Sequence, residues 1–282
     1  MYLREYDFEC AVSMAKDGKE RGDHEHLARA LTMLQDYRHA LGQLKPGDRM
    51  EFGSYFVAND IKPIKLLLRV PIVWLVLEND RTDGSLLLLS ERSLDWEFYG
   101  DMGACSWEAS YLRKWLNGAC LDDWFAQEER ILMSRTVCRP EKNQISDVSD
   151  EETTEDWLFL LSFSEVLQYF GGKGPGKAWK NVRRFLFERY TDHYPVSHRD
   201  AVGVIPFVQP SYQDKRAMEI SYEAKEWWLR TPGVDKEYRM VVCADGSVDV
   251  QGMKVGCDEV GVRPALRLRP DALEQIKSAF VI

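Results

Sequence analysis

The spacing of the apolar residues changes once along this chain, from a helical to a strand-like period, and the change limits the folds open to it. Before Pro46-Gly47-Asp48 the spacing is helical. Tyr6, Cys10 and Met14 stand at i, i+4 and i+8, and Leu27, Leu31, Leu34, Tyr37 and Leu41 form a second stripe. Gly18 and Gly22-Asp23 separate the two stripes, with Asp23 placed to cap the second helix. A helix pair of this size cannot bury its own apolar face. It is expected to dock on the rest of the chain or on a second copy. Residues 1–45 therefore read as a helical hairpin and 46–282 as the main domain.

Beyond the boundary the texture is that of strands. Met50–Val57 and Ile72–Leu77 are followed by a turn at Asn79–Gly84 and a further strand to Ser90. Helices are expected over Trp107–Leu116, Asp122–Ile131 and, capped by Ser164, Glu165–Phe170, with a strand over Trp157–Leu161 between them. Arg239–Cys243, Val248–Val250 and Gly261–Leu268 close the chain as strands, the first two around a turn at Asp245-Gly246. This order has no regular alternation of strand and helix, so it predicts an α+β fold rather than a doubly wound sheet.

Charge and cysteine usage exclude several classes. A net charge of −9 argues against wholesale nucleic-acid binding. The charged start has no apolar leader core, and the apolar runs at Pro71–Leu77 and Leu86–Leu89 are too short to span a bilayer, so a cytoplasmic protein is expected. The six cysteines are scattered without a C-x-x-C pair, which predicts free thiols and no zinc site.

Gly171 to Lys177 fits G-x-x-x-x-G-K, the pattern of a phosphate-cradling loop. The segment before it is helical in pattern, Pro175 removes a backbone donor, and Ala178 stands where a magnesium-binding hydroxyl is needed. The stretch is read as a helix cap and loop. Lys173, Lys177, Lys180, Arg183 and Arg184 make it locally basic, suited to an anion or to the acidic run Asp147–Asp156, itself expected to be a solvated, mobile loop.

Several segments in order, 106-SWEASYLRKWLN-117, 128-EERI-131, 157-WLFLLSFSEVLQYF-170, 227-WWLRTPG-233 and 260-VGVRPALRL-268, resemble a bacterial family built on a domain of unknown function. The resemblance covers roughly residues 50–270, with Thr231 in place of that family's serine, and leaves the N-terminal helices outside it. The closing motif also resembles the final strand of the C-type-lectin-like fold, shared by formylglycine-generating enzymes and by variable proteins of diversity-generating retroelements. The resemblance implies a core of short, twisted antiparallel sheets with flanking helices, and no single activity.

Within the family-like strands, Trp227 and Trp228 are adjacent, so one is expected to face inward and the other outward. Arg230 and Arg263, if buried, need a carboxylate or several carbonyl partners, and Glu108 or Asp245 could serve; internal pairing is the default reading over ligand contact. Trp228, Arg230, Asp245 and Arg263 form the candidate ligand site. No catalytic, metal or cofactor set emerges. There is no G-x-S-x-G elbow, His193 and His198 lie in a polar loop, the calcium-lectin triplets are incomplete, and the close cysteine pair of a copper oxidase is missing. The chain is expected to be a non-catalytic recognition module for a protein or small molecule, with contact to a second copy through its N-terminal helices. The alternatives are an enzyme with its site near Arg230, Asp245 and Arg263, or a variable display protein of a phage or mobile element.

Overall fold

The computed structural model describes residues 2–4, 6–61, 64–101, 103, 105–170, 193–195, 226–243 and 247–280. The segment Lys173–Arg184 and Asp245, both singled out in the sequence, lie outside the described residues.

The N-terminal stripes become α1 (Tyr6–Arg21) and α2 (His24–Gln43). Asp23 caps α2 as expected, accepting the His26 amide through Oδ1 at 3.0 Å. The pair docks on its own chain. Phe8, Ala11, Val12 and Ala15 of α1 and Ala30, Leu34, Tyr37 and Leu41 of α2 join one apolar core with the rest of the protein. Arg38 of α2 reaches Glu274 of the C-terminal helix at 2.6 Å, and Lys16 of α1 reaches Glu128 at 2.5 Å.

The remainder is mixed α+β, with small antiparallel or mixed sheets. Its strands are β1 (Tyr2–Leu3), β2 (Arg49–Ile61), β3 (Ile64–Asn79), β4 (Leu86–Ser90), β5 (Asp95–Trp96), β6 (Met133–Ser134), β7 (Thr136–Cys138), β8 (Thr154–Asp156), β9 (Leu158–Phe159) and β10 (His193–Pro195). They continue as β11 (Trp227–Pro232), β12 (Tyr238–Val242), β13 (Ser247–Lys254), β14 (Gly261–Val262) and β15 (Ala265–Leu268). The first sheet runs β1-β2-β3-β4-β15-β6, with β9 also on β15; the second runs β10-β13-β12-β11-β14-β5; β7 and β8 pair apart. The helices between them are α3 (Tyr111–Trp115), α4 (Leu121–Trp124), α5 (Gln127–Leu132), α6 (Phe163–Phe170) and α7 (Leu273–Phe280). A π-helical turn over Leu116–Cys120 joins α3 to α4.

Two expected elements divide. Gly261–Leu268 is not one strand: β14 belongs to the second sheet and β15 to the first, and the chain changes sheets at Arg263-Pro264. Proline cannot donate to a ladder, so the strand must leave its neighbour there. The β4–β5 connection makes the same change beside it, with the Ser90 amide on the Pro264 carbonyl and the Leu94 amide on the Val262 carbonyl, each at 2.9 Å. Asp122–Ile131 likewise splits into α4 and α5, because Phe125 and Ala126 adopt extended backbone.

The β2–β3 hairpin pairs as far as Ile61 with Ile64, well beyond the expected strands. Asn59-Asp60 and Pro63 interrupt the apolar alternation, which is why pattern alone stops short. Near its other end β2 bulges between Glu51 and Ser54, where Gly53 sits at φ 69°. A side chain there would also stand 2.5 Å from the Phe125 ring. Gly53→Ala therefore meets both a backbone and a steric penalty, and should lower stability by about 2–4 kcal/mol, readable as a drop in thermal midpoint.

Trp227 and Trp228 are both buried, at 2% and 0% exposure, which corrects the inward–outward expectation. β11 runs between β12 and β14, and both its faces are covered. Tyr99 packs edge-on against Trp228 at 5.6 Å, and the Arg263 guanidinium lies over the Trp227 ring at 5.1 Å.

Candidate functional site

The residues that carry the resemblance are joined to one another by buried bonds. Arg230 forms a fork with Glu165 of α6, Nη1 to Oε2 at 2.6 Å and Nη2 to Oε1 at 3.0 Å, and Nη1 also donates to the Leu160 carbonyl at 2.7 Å. Glu165 in turn caps its own helix. Its carboxylate accepts the Ser162 amide at 2.8 Å and its amide donates to Ser162 Oγ at 3.3 Å, so the capping residue is Ser162. Ser164, expected in that role, instead holds Glu141. Trp228 Nε1 donates to the Glu97 carbonyl at 2.8 Å. Arg263 Nε donates to the Ser90 carbonyl at 2.7 Å and its Nη2 to that of Glu91 at 3.3 Å, which ties together the two chain segments that change sheets. Backbone carbonyls supply these two acceptors, and the Glu108 carbonyl is taken instead by Arg113 Nη1 at 3.2 Å.

The acidic run is solvated only in part: Asp147, Glu151, Glu152, Thr153 and Glu155 are exposed, but Asp150 and Asp156 turn inward. Asp150 forks with the fully buried Arg239, Oδ2 to Nη1 at 2.9 Å and Oδ1 to Nη2 at 2.8 Å. The Asp156 side chain, 0% exposed, accepts from Arg113 Nε at 2.6 Å, Trp107 Nε1 at 2.9 Å and Thr154 Oγ1 at 2.6 Å. Asn117 completes the helix motif by donating to the Arg113 and Leu158 carbonyls and accepting the Trp157 and Leu158 amides. Trp228, Arg230 and Arg263 are thus placed in internal bonds and do not line either of two hollows on the described surface.

The larger hollow, about 360 Å³, lies along α2 beside Gln35, Arg38 and His39 and has no opposing wall. The other, about 250 Å³, is walled by three elements. Tyr55 comes from β2, Leu94 and Asp95 from the segment that changes sheets, and Trp115, Cys120, Asp123 and Trp124 from the α3–α4 turn. The π-helical turn adds a residue to the ordinary helical period and re-aims the side chains around it. Trp115 and Trp124 meet edge to face, centroids 5.9 Å apart.

The electrostatics of this cleft are one-sided. Burial raises the Asp95 carboxyl above the usual carboxylate range, opposed only by its hydrogen bond from the Trp96 amide at 2.8 Å. Glu97 is raised by burial and by the nearby charges of Asp95 and Asp258. Cys120, 2% exposed, has its thiol pushed far up, by burial first and then by Asp95, Asp123 and Glu97. It is therefore an inert thiol rather than a nucleophile. Tyr55 is pushed up to about 12 by burial, with Arg92 the cation acting against that shift. Phe98 and Tyr111 stack at 4.5 Å beside the same acids, and burial first, then Glu97, raises the Tyr111 phenol.

The sequence reading missed this cleft. Trp115, part of the helix expected over Trp107–Leu116, packs against the core and also lines the cleft, and neither Asp95 nor Asp123 belongs to a family-like motif. One signal was present: Asp95-Trp96 and Asp123-Trp124 repeat an acid–tryptophan pair, a costly combination for either a core or a solvated face.

Framework and cleft together define a mixed α+β domain of two interlinked sheets, with motif residues in its joints and an aromatic, acidic hollow on its surface. The chain belongs to the family described as domain of unknown function DUF6273, whose profile matches residues 83–270. No curated protein and no solved structure matches it. Among the described residues no helix is long and apolar enough to cross a membrane, and no group of three or more potential ligands is placed to hold a metal.

Proposed function

We propose that this chain is a non-catalytic recognition module with a C-type-lectin-like core, and that its ligand seats in the cleft between Tyr55, Asp95, Trp115 and Asp123. One observation carries the reading. The framework acids Asp150, Asp156 and Glu165 each hold an arginine, whereas no arginine or lysine pairs with Asp95 or Asp123 among the described residues. Asp95 is half-buried, so its unpaired charge costs stability, and a site that bears such a cost is a place to look for a ligand; Asp123 beside it is exposed. Three separate elements surround it, two of them with aromatic side chains, as in ordinary small-ligand sites. The six free cysteines suit a reducing compartment, which supports a cytoplasmic setting.

The same cost gives a stability test. Asp95 titrates higher in the folded than in the unfolded chain, so its contribution is most favourable below the unfolded value and is lost as pH rises through the folded one. Asp95→Asn should accordingly raise the thermal midpoint at pH 7, with a gain that shrinks toward pH 4, while removing ligand response. A thermal-shift screen of metabolites and peptides on wild type and Asp95→Asn reads both effects. Hits shared equally by the two proteins would move the site elsewhere. Turnover of any hit would favour an enzyme instead.

A further inference from the structure

We infer that the cleft takes an organic cation, an alkylammonium or guanidinium group, held between the Asp95 and Asp123 carboxylates and the faces of Trp115 and Trp124. The inference rests on the binding reading above and adds the ligand's chemistry to it.

The cleft's composition selects this class from three. An anion would meet two carboxylates on the wall, Asp95 and Asp123, with Glu97 also close enough to act on the Cys120 thiol. Among the described residues no lysine or arginine lines the hollow, and Arg92 acts at Tyr55. A neutral polyol can stack on tryptophan, but it leaves the desolvated carboxylate of Asp95 charged and unneutralised. A cation neutralises it and is attracted by the aromatic faces as well. The size agrees: a hollow of about 250 Å³ admits a head group and a short stem rather than a folded surface.

Two sources share this chemistry, a free amine or guanidine and a basic side chain presented by another protein. The full-length chain would be titrated with L-arginine amide, tetramethylammonium, a Gly-Gly-Arg-Gly-Gly peptide amide, methyl glucoside and inorganic phosphate, followed by tryptophan fluorescence and calorimetry. Wild type should saturate with the cations and not with glucoside or phosphate. Asp95→Asn and Asp123→Asn, isosteric changes that leave the fold in place, should each weaken binding about tenfold, and 0.5 M salt should weaken it further. Cation binding should also fall as pH drops through the raised titration of Asp95. A peptide much tighter than arginine amide would assign the cation to a partner's side chain; equal affinities would assign it to a free compound. Saturation by glucoside without the cations would overturn the cation and leave the cleft as a binding site. Saturation by none of the probes would overturn both.

Discussion

Asp150→Ala should be the most damaging single change in the acidic run, lowering stability by about 3–5 kcal/mol and the thermal midpoint by roughly 10 °C. Arg239 is 0% exposed and lies over the Tyr99 ring at 5.1 Å. Asp150 supplies both of its charge-neutralising contacts. Removing that carboxylate strands a guanidinium whose remaining acceptors among the described residues are the Cys105 and Arg230 carbonyls. The cost is that of a buried unpaired charge, not of a lost surface contact. A control sits one residue away. Glu151, 81% exposed at its side chain, pairs with Lys236 at 3.4 Å, and Glu151→Ala should change stability by less than about 0.5 kcal/mol. Adding Arg239→Leu to Asp150→Ala should recover part of the loss, because the stranded charge goes with it. Chemical denaturation of the four proteins makes a double-mutant cycle. A loss under 1 kcal/mol for Asp150→Ala would show that Arg239 is satisfied without the acid.

That pair shows where sequence reading stops. The acidic run looked like a solvated loop because charge density was its only one-dimensional feature, and density cannot tell which acids meet a cation almost ninety positions away. Local signals fared better. Asp23 before a 3.6-residue stripe gave the cap of α2, since that bond closes within three residues. The absence of strand–helix alternation gave the mixed α+β class. The capping box of α6 was displaced by two residues, although 162-SFSE-165 spells it out, because Ser164 stood nearer the apolar stripe. The cleft was harder still. Its walls come from β2, the β4–β5 connection and the α3–α4 turn, and no sequence period links residue 55 to 95 and 123. Family-like motifs pointed away from it, because motif residues here hold the joints of the fold. Trp228, Arg230 and Arg263 are conspicuous for packing reasons: large or charged groups in a tight interior demand specific partners.

Arg263 offers the clearest way to separate a joint from a ligand contact. Its residue is 1% exposed, its Nε and Nη2 donate to the Ser90 and Glu91 carbonyls, and Pro264 follows at the point where the chain changes sheets. Both segments that cross between the sheets are thereby tied by one planar donor group. Lysine cannot reproduce that fork, since its ammonium is a point donor on a flexible stem. Arg263→Lys and Arg263→Met should therefore cost similar amounts, about 2–4 kcal/mol, through carbonyls left without donors and packing lost against Trp227. The loss should be local before it is global. Amide exchange should accelerate first at Ser90 and Leu94, whose amides bond across the crossing to Pro264 and Val262. If Arg263 instead served a ligand, both variants would melt as wild type does and exchange at Ser90 and Leu94 would be unchanged. Because Leu94 and Asp95 of the crossing also line the cleft, a loosened joint should reach the proposed site as well, and the cation affinity proposed for it should fall in step with the loss of exchange protection. The two sheets would then be held in register by the same residue that keeps Asp95 in place on the cleft wall.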